Sequence, residues 1–463
     1  MFDINNNLKV YALLFVVILA TSVLSIAYLT RVAENSGTEN AKAYPAPLTS
    51  TAHDNVVLAT NMVENRVFSM DKTAPFEPTS WRVPGYPVLA ASFYIVFNSF
   101  YPLLFVQLLA LFLTVILIFK MSVRLMDRRW ALALSILYLL LPDTILAASA
   151  LTTENIFTFI FVVALYVFFF SDIKNIYWKW GLTGFLIALA TYVREASFYI
   201  FLFFIPAYFI FYIKRSEVTK KHILAVVMLL VVFMATLLPW FVRNKKTFGV
   251  FAFASTSGNV LLRQNAAQFY QTISGLNAIE SRNALLERAG FPKGSVPDDF
   301  KSSGALKKVA FDVIMEHPFR YGLFHLSTFI PFFTSSGAQE YWRFTNDMLP
   351  DFNPAPEPSL IQALHPFSMS TLIIVIKNHG WTLVENFFWA VISLFVFLSI
   401  RYSRDVRLTR MFLAIIFYFA LVTGPIAHAR YRIPVEPLIL ICAFCSAAVI
   451  WNRYRDTFFK KLT

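Results

Sequence analysis

"VYALLFVVILATSVLSIAYL", residues 10–29, is a run of 20 residues without a charged side chain. A helix of about 20 apolar residues crosses the hydrocarbon core of a bilayer, so this run predicts a transmembrane helix. It is longer than the apolar core of a signal peptide, and no small-residue cleavage pattern precedes Arg31. We therefore predict that the helix is retained in the mature chain.

Comparable apolar runs recur along the chain, which is 57% hydrophobic, 17% aromatic and only 14% charged. This composition lies far outside the range of soluble globular proteins and predicts an all-α polytopic membrane protein. Two shorter apolar stretches, 86–97 and 322–333, adjoin proline or glycine and are expected to lie at the interface. The predicted spanning segments are 10–29, 101–119, 131–150, 155–171, 180–193, 197–213, 223–242, 381–400, 411–427 and 433–450.

The distribution of charge between these segments predicts the topology. With a cytoplasmic N-terminus, the inner connections and termini hold 19 of the 40 Lys and Arg but 6 of the 27 acids. The first outer loop, 30–84, holds 5 basic and 6 acidic residues. This contrast follows the positive-inside rule and puts both termini in the cytoplasm. The net charge of +13 is then explained by topology, and no nucleic-acid partner is predicted.

The spacing of the segments predicts three regions. Residues 1–242 form an N-terminal transmembrane catalytic module that includes the first outer loop, 30–100. Residues 243–380 form an extracytoplasmic or interfacial helical region, in which "LNAIESRNALLERAG" and "ALKKVAFDVIMEHP" show apolar residues at helical spacing. Residues 381–463 form the C-terminal transmembrane helices. The outer region therefore predicts a small helical structure on the membrane surface.

The motifs that the sequence lacks bear on the class of function. It has no GxxxxGK[ST] motif, no GxGxxG, no HExxH and no metal-spaced group of Cys and His. Its two cysteines, Cys442 and Cys445, lie in an apolar segment and are expected to pack in the core. ATP-driven transport and metalloprotease chemistry therefore lose support.

Two polar groups stand out in the first outer loop. In "STAHDNVVLATNMVENRVFS" (50–69), helical spacing aims Asp54 back toward the bundle, although a carboxylate that caps a helix in a solvated loop is the simpler alternative. In "FEPTSWRVPGYPVLAASFYIVF" (76–97), Arg82 precedes a proline break where the chain meets the membrane. The alternative for Arg82 is an arginine that snorkels to the interface.

Further polar groups lie at predicted outer helix ends. Arg243 follows a spanning segment on the side where basic residues are disfavoured, which indicates an anionic partner or a basic and aromatic belt. Glu154, in "TTEN", sits in the first turn of a helix, where capping explains it, and Arg194 and Glu195 can pair with each other. In "HARYRIPVEP" (428–437), Arg430 and Arg432 can bind phosphate, or one of them can pair with Glu436.

The order of these motifs resembles a known family. Asp54 in a long first outer loop, then "PGYPVL", "TTEN", "PWFVRNKKTFG" with "STSGNVLL", "EHPFRY" and "HARYRIPVEPL", are similar to the GT-C glycosyltransferases. The nearest branch is that of the protein O-mannosyltransferases and lipid A aminoarabinose transferases. The resemblance implies a GT-C bundle that transfers a sugar, with inversion, from a polyprenyl-phosphate donor to an extracytoplasmic glycolipid, polysaccharide or protein.

The resemblance also implies roles for residues. Asp54 is similar to the first-loop acid that acts as general base, and arginines would hold the donor phosphate. The candidate substrate-binding residues are Arg82 and Arg243, which the resemblance suggests as the phosphate clamp, together with Tyr86, Glu154, Arg430 and Arg432. Asn55 stands where many relatives have a second acid, and Trp81 where an acid precedes the arginine. We predict no cofactor, and the sequence does not support a divalent metal.

Two other functions remain open from the sequence. One is a flippase or carrier that binds polyprenyl-linked lipids without reaction, and the other is a non-catalytic protein of envelope assembly. The expected partners are a polyprenyl-phosphate-linked sugar, an unidentified acceptor and membrane lipids. The long outer loops contain no N-x-[ST] glycosylation sequence, which favours the bacterial inner membrane over the endoplasmic reticulum.

Overall fold

The computed structural model describes residues 4–36, 50–346, 369–426 and 428–459, and these ranges form helices joined by loops, with no β-strand among them. The N-terminal helices are α1 (Ile4–Ser36), α2 (Ser50–Glu64), α3 (Gly85–Phe97), α4 (Tyr101–Ser122), α5 (Arg128–Leu140), α6 (Pro142–Ser149), α7 (Thr153–Phe170), α8 (Ile176–Val193), α9 (Phe201–Ala207) and α10 (Lys220–Phe248). The remaining helices are α11 (Thr256–Asn259), α12 (Ala267–Ser274), α13 (Ala278–Arg288), α14 (Phe300–Glu316), α15 (Pro318–Ser327), α16 (Phe329–Thr334), α17 (Gly337–Asn346), α18 (Met369–Leu398), α19 (Val406–Thr423), α20 (Ala429–Arg432) and α21 (Glu436–Phe459).

Eight stretches of these described helices are long and apolar enough to cross a membrane. They are Leu8–Arg31, Tyr101–Ser122, Thr153–Phe170, Glu195–Tyr212, Lys220–Phe248, Gly380–Leu398, Val406–Thr423 and Ala429–Arg455. Each coincides with a segment predicted from the sequence. The chain is therefore an all-α polytopic membrane protein, as the composition predicted.

The count of spans differs from the predicted ten at two segments. The predicted segment 131–150 is two helices, α5 and α6, bent by 60° at Leu141, and the pair makes a ninth span if it is counted as one. Pro142 explains the break, because the residue before a proline is driven out of the helical region, and Leu141 has an extended ψ of 128°. The predicted segment 180–193 lies in α8, which is not among the stretches that meet the same test of length and hydropathy.

The two stretches expected at the interface are too short to span. The stretch 86–97 lies in α3, a helix of 13 residues, against the ~20 that a crossing needs. The stretch 322–333 is divided between α15 and α16, of 10 and 6 residues. These lengths agree with the prediction that neither stretch spans the membrane.

Close packing at Gly85 brings the first loop against α8. A Cβ on Gly85 would lie 2.6 Å from the backbone carbonyl of Tyr192, so only glycine permits this approach. Arg82 precedes Gly85 by three residues, and Arg194 follows Tyr192 by two. The contact therefore holds two arginine-bearing segments side by side.

The predicted outer region contains both helices that the sequence pattern indicated. They are α13, which begins with a capping box between Asn277 and Glu280, and α14. A hydrophobic cluster separate from the core of the spans joins them to the segment after α11, through Leu262, Phe269, Leu285, Leu306 and Val313 among others. Nothing in the structure tests the predicted domain boundaries, which remain predictions. Cys442 and Cys445 are free and buried, as expected.

Candidate functional site

A cavity of about 500 Å³ opens where the loop before α3 meets the C-terminal end of α8, the segment that begins with α11, and α20. The predicted topology puts these helix ends on the outer side of the membrane. The charged residues lining the cavity are five arginines and one glutamate: Arg82, Arg194, Arg263, Arg282, Arg430 and Glu195. The volume lies within the range of ligand-binding pockets, about 300–1,000 Å³. Its lining therefore favours an anionic ligand.

Asp54 lies beside the cavity, on α2, and is ion-paired to Arg82. Both Nε and Nη2 of Arg82 donate to the same oxygen, Oδ2 of Asp54, at 3.2 and 2.7 Å. The two side chains are 22% and 32% exposed, so the pair is accessible to a ligand. Asn55, which follows Asp54, lines the cavity and is buried. The structure thus joins the predicted general base to the predicted arginine, although their roles remain predictions.

Glu154, in the first turn of α7, holds two of the cavity arginines. Its Oε1 lies 2.5 Å from Nη1 of Arg194 and also contacts Nε of Arg430. The Glu154 side chain is 2% exposed, and Thr153 accepts a further hydrogen bond from Arg194 at 3.3 Å. One carboxylate facing two guanidinium groups leaves a net positive charge. Glu154 therefore positions Arg194 and Arg430 at the cavity wall.

Arg263 and Arg282 are cavity residues that sequence reasoning missed. In the described parts of the chain neither has an ion pair or a hydrogen bond, and Nε of each is buried without a partner. Burial and the neighbouring charge of Arg282 lower the pKa of Arg263, yet a guanidinium remains charged in proteins. Two neighbouring guanidinium groups without an acid repel each other, which costs free energy unless an anion binds between them. Their adjacency depends on how α13 packs against residues 260–266, which no local motif reveals.

Glu195 was expected to pair with Arg194, and this prediction is wrong. Arg194 turns toward Glu154, while Oε1 of Glu195 accepts a hydrogen bond of 2.7 Å from the Thr256 hydroxyl. The two side chains leave adjacent residues in different directions because Arg194 ends α8 in an extended conformation and Glu195 starts a 3₁₀ turn. Glu195 thereby contributes the acidic group of the cavity lining.

Arg243 and Tyr86 are not among the residues that line the cavity. Nη1 of Arg243 donates to the Thr79 carbonyl oxygen at 2.8 Å, and its guanidinium carbon lies 4.7 Å from the centre of the Trp240 ring. Tyr86 is buried and its hydroxyl donates to Gln107 at 2.8 Å. Both side chains tie the first loop and α3 to the bundle, so the structure gives them packing contacts where the sequence suggested ligand contacts.

Arg432 is also separate from the cavity lining, although Arg430 and Tyr431 belong to it. Its fully buried guanidinium donates to Oε1 of Glu436 at 3.0 Å, which is the pairing weighed from the sequence. Nη2 lies 3.5 Å from Oδ2 of Asp143, and the guanidinium carbon is 3.6 Å from the Trp389 ring centre. Arg432 therefore anchors α20 through these buried contacts and does not line the cavity.

The described residues contain no group of three or more His, Cys, Asp or Glu side chains that could hold a metal ion. The expectation that no cofactor takes part is untested and remains a prediction.

Known proteins share parts of this architecture. Residues 84–240 match the family model described as dolichyl-phosphate-mannose-protein mannosyltransferase. The oligosaccharyltransferase of Archaeoglobus fulgidus, solved with a tethered acceptor peptide containing the NVT sequon, is 14% identical with a TM-score of 0.51, and the match covers 98% of this chain and 50% of that one. AglB of the same organism, in complex with an inhibitory peptide and a dolichol-phosphate, is 14% identical with a TM-score of 0.51 over 97% of this chain and 51% of that one.

A weaker likeness is to ArnT of Cupriavidus metallidurans in the apo state, at 11% identity and a TM-score of 0.35 over 86% of this chain and 73% of that one. No curated protein matches the chain significantly. The chain spans about half the length of the oligosaccharyltransferase chains, and at this identity the likeness is one of fold. The family-model match over residues 84–240 and the shared fold support the predicted resemblance to GT-C glycosyltransferases of the protein O-mannosyltransferase branch.

Proposed function

We propose that this chain, with its GT-C fold and its match to a mannosyltransferase family model, is an inverting glycosyltransferase that uses a polyprenyl-phosphate-linked sugar. The acceptor lies on the extracytoplasmic side of the membrane. The proposal rests on two partly buried arginines, Arg263 and Arg282, whose Nε atoms are buried without a partner among the described residues. They share a cavity with Arg82, the partner of Asp54.

The donor phosphate is assigned to Arg263 and Arg282. Arginine presents a planar fork of donors that matches phosphate oxygens and stays charged. A phosphate between these side chains supplies the counter-charge that the described residues do not provide. The description of the family model names dolichyl-phosphate-mannose, and one related structure contains a dolichol-phosphate. Both descriptions concern those proteins and support the same ligand class here.

The reaction then follows from the positions of the charged groups. The acceptor hydroxyl attacks the anomeric carbon from the face opposite the phosphate, and Asp54 takes its proton. The bond between the anomeric carbon and the phosphate oxygen breaks, and its electron pair leaves with the polyprenyl phosphate. The arginines stabilise the charge that develops on this leaving group. Arg82 holds the Asp54 carboxylate in one orientation through its two hydrogen bonds.

The phosphate assignment is tested by Arg263→Gln and Arg282→Gln. Each substitution removes a charge-assisted hydrogen-bond donor, so we expect binding of a synthetic polyprenyl phosphate in detergent to weaken roughly tenfold to a hundredfold. Titration of the purified variants by fluorescence or calorimetry measures the change.

Arg288→Gln is the matched control for this test. Arg288 lies on the same helix as Arg282 but is 48% exposed and faces Glu316 at 3.5 Å. It should leave lipid affinity unchanged. If the variants at 263 and 282 bind the lipid as tightly as the wild type does, the phosphate does not lie between these arginines.

A further inference from the structure

The cavity contains a second set of polar groups, whose free atoms are hydrogen-bond acceptors. Glu195 receives one hydrogen bond, from Thr256, and forms no ion pair with any described residue. Asn259 is 5% exposed, and its Oδ1 is buried without a hydrogen-bond partner while its amide donates to the Pro297 carbonyl. Both residues line the cavity. These oxygens require donors, which a phosphate does not have.

Trp81 lines the same cavity. An indole ring offers a flat apolar surface, which suits the C–H face of a pyranose ring. Hydroxyl groups at the edge of that ring could then donate to Glu195 and Asn259. An aromatic face with carboxylate and amide acceptors fits a sugar better than it fits a lipid chain or a second anion.

The acceptors and the arginines are arranged in sequence along one helical segment. Thr256 and Asn259 lie in α11, Arg263 lies in the π-helical segment Val260–Ala266 that continues it, and all three residues line the cavity. The acceptors at the start of the segment and the guanidinium near its end thus divide the cavity into neighbouring polar regions. This order matches a sugar joined directly to a phosphate.

The charges around Glu195 bear on the kind of sugar. The nearby charged groups are cations, Arg82, Arg194 and Lys307. Arg82 and Arg194 pair with Asp54 and Glu154. The five arginines of the lining still outnumber these two acids and Glu195, so an excess of positive charge remains. An ammonium group on the sugar would be repelled by this excess. An uncharged, hydroxyl-bearing sugar meets no such penalty.

We infer that Trp81, Glu195 and Asn259 form the subsite for the transferred sugar, that Thr256 orients Glu195, and that this subsite selects an uncharged sugar. This inference rests on the proposed function. Glu195 and Asn259 accept hydrogen bonds from sugar hydroxyls, whereas Arg263 and Arg282 hold the phosphate. The sugar-specific part of donor affinity therefore depends on Glu195, and the lipid-phosphate part does not.

The test compares two ligands, polyprenyl phosphate alone and the same lipid bearing mannose. We expect the wild type to bind the mannosyl lipid roughly tenfold more tightly than the bare lipid, from hydrogen bonds to a charged acceptor. Glu195→Gln should remove most of this preference and leave the affinity for the bare lipid unchanged. Retained binding of the bare lipid shows that the variant is folded. Thr256→Val removes the hydroxyl that donates to Glu195 but leaves the carboxylate in place, so this variant should lose part of the preference for the mannosyl lipid.

Glu287→Gln is the control, since Glu287 is exposed and pairs with Lys293. The inference is overturned if Glu195→Gln weakens both lipids equally or changes neither. It is also overturned if the wild type binds a lipid bearing an amino sugar more tightly than the mannosyl lipid. Absence of any saturable lipid binding by the wild type would instead overturn the proposed function itself.

Discussion

Asp54→Asn is expected to reduce sugar transfer by about a hundredfold or more, because a positioned general base contributes about 10²–10⁴ to the rate. Asparagine is nearly the same size and can still accept hydrogen bonds from Arg82, so the fold and the binding of the donor should be preserved. Release of a labelled sugar from a synthetic polyprenyl-phosphate donor measures the rate. Binding of the donor is measured on the same preparation.

The matched control for this variant is Asp312→Asn, since Asp312 is exposed on α14 and is not among the residues that line the cavity. It should turn over donor at the wild-type rate. Turnover by Asp54→Asn within a few fold of the wild type would mean that another group takes the proton. A carrier that binds lipid without reaction needs no base, so a loss of transfer with intact binding also argues against that function.

Arg432→Met is expected to lower the stability of the whole bundle. Breaking a buried ion pair costs about 3–5 kcal/mol, because the partner charge is left without compensation. Here Asp143 and Glu436 would both lose their arginine, and both are fully buried. Thermal unfolding of the purified protein in detergent should shift to clearly lower temperature.

Arg404→Met provides the comparison for Arg432→Met. Arg404 also forms an ion pair, with Asp127 at 2.9 Å, but both side chains are about half exposed, at 46% and 53%. Exposed pairs contribute little to stability, so this variant should unfold close to the wild-type temperature. Equal unfolding temperatures for the Arg432 variant and the wild type would contradict the anchoring role assigned to that residue.

Composition and apolar runs were sufficient to predict most of the membrane-spanning fold. Each of the eight apolar spans was predicted, because a helix that crosses a bilayer needs ~20 consecutive apolar residues and such runs are visible in the sequence. The bend at Leu141 was missed, although Pro142 was visible, because the apolar run continues across it. The predicted span 180–193 lies in α8 and is not among these eight. That helix packs against α7 and α10.

The candidate site was only partly predictable. Arg82 and Arg430 line the cavity, and Asp54 and Glu154 are bonded to them, as expected of polar groups at outer helix ends. Arg243 has the same kind of sequence context, yet it points into an aromatic cluster, since side-chain direction depends on packing between distant segments. Arg263 and Arg282 are brought together because α13 packs against residues 260–266. No local sequence motif predicts that contact.

Sugar transfer, and not only binding of the lipid carrier, is the activity proposed for the cavity. The most direct measurement incubates the purified wild-type protein with a polyprenyl-phosphate-linked mannose, labelled in the sugar, and a membrane extract that supplies acceptors. We expect the label to leave the lipid and to appear on a glycolipid, polysaccharide or protein, with free polyprenyl phosphate released in equal amount. A label that stays on the lipid, although the lipid binds saturably, would contradict the proposed transfer.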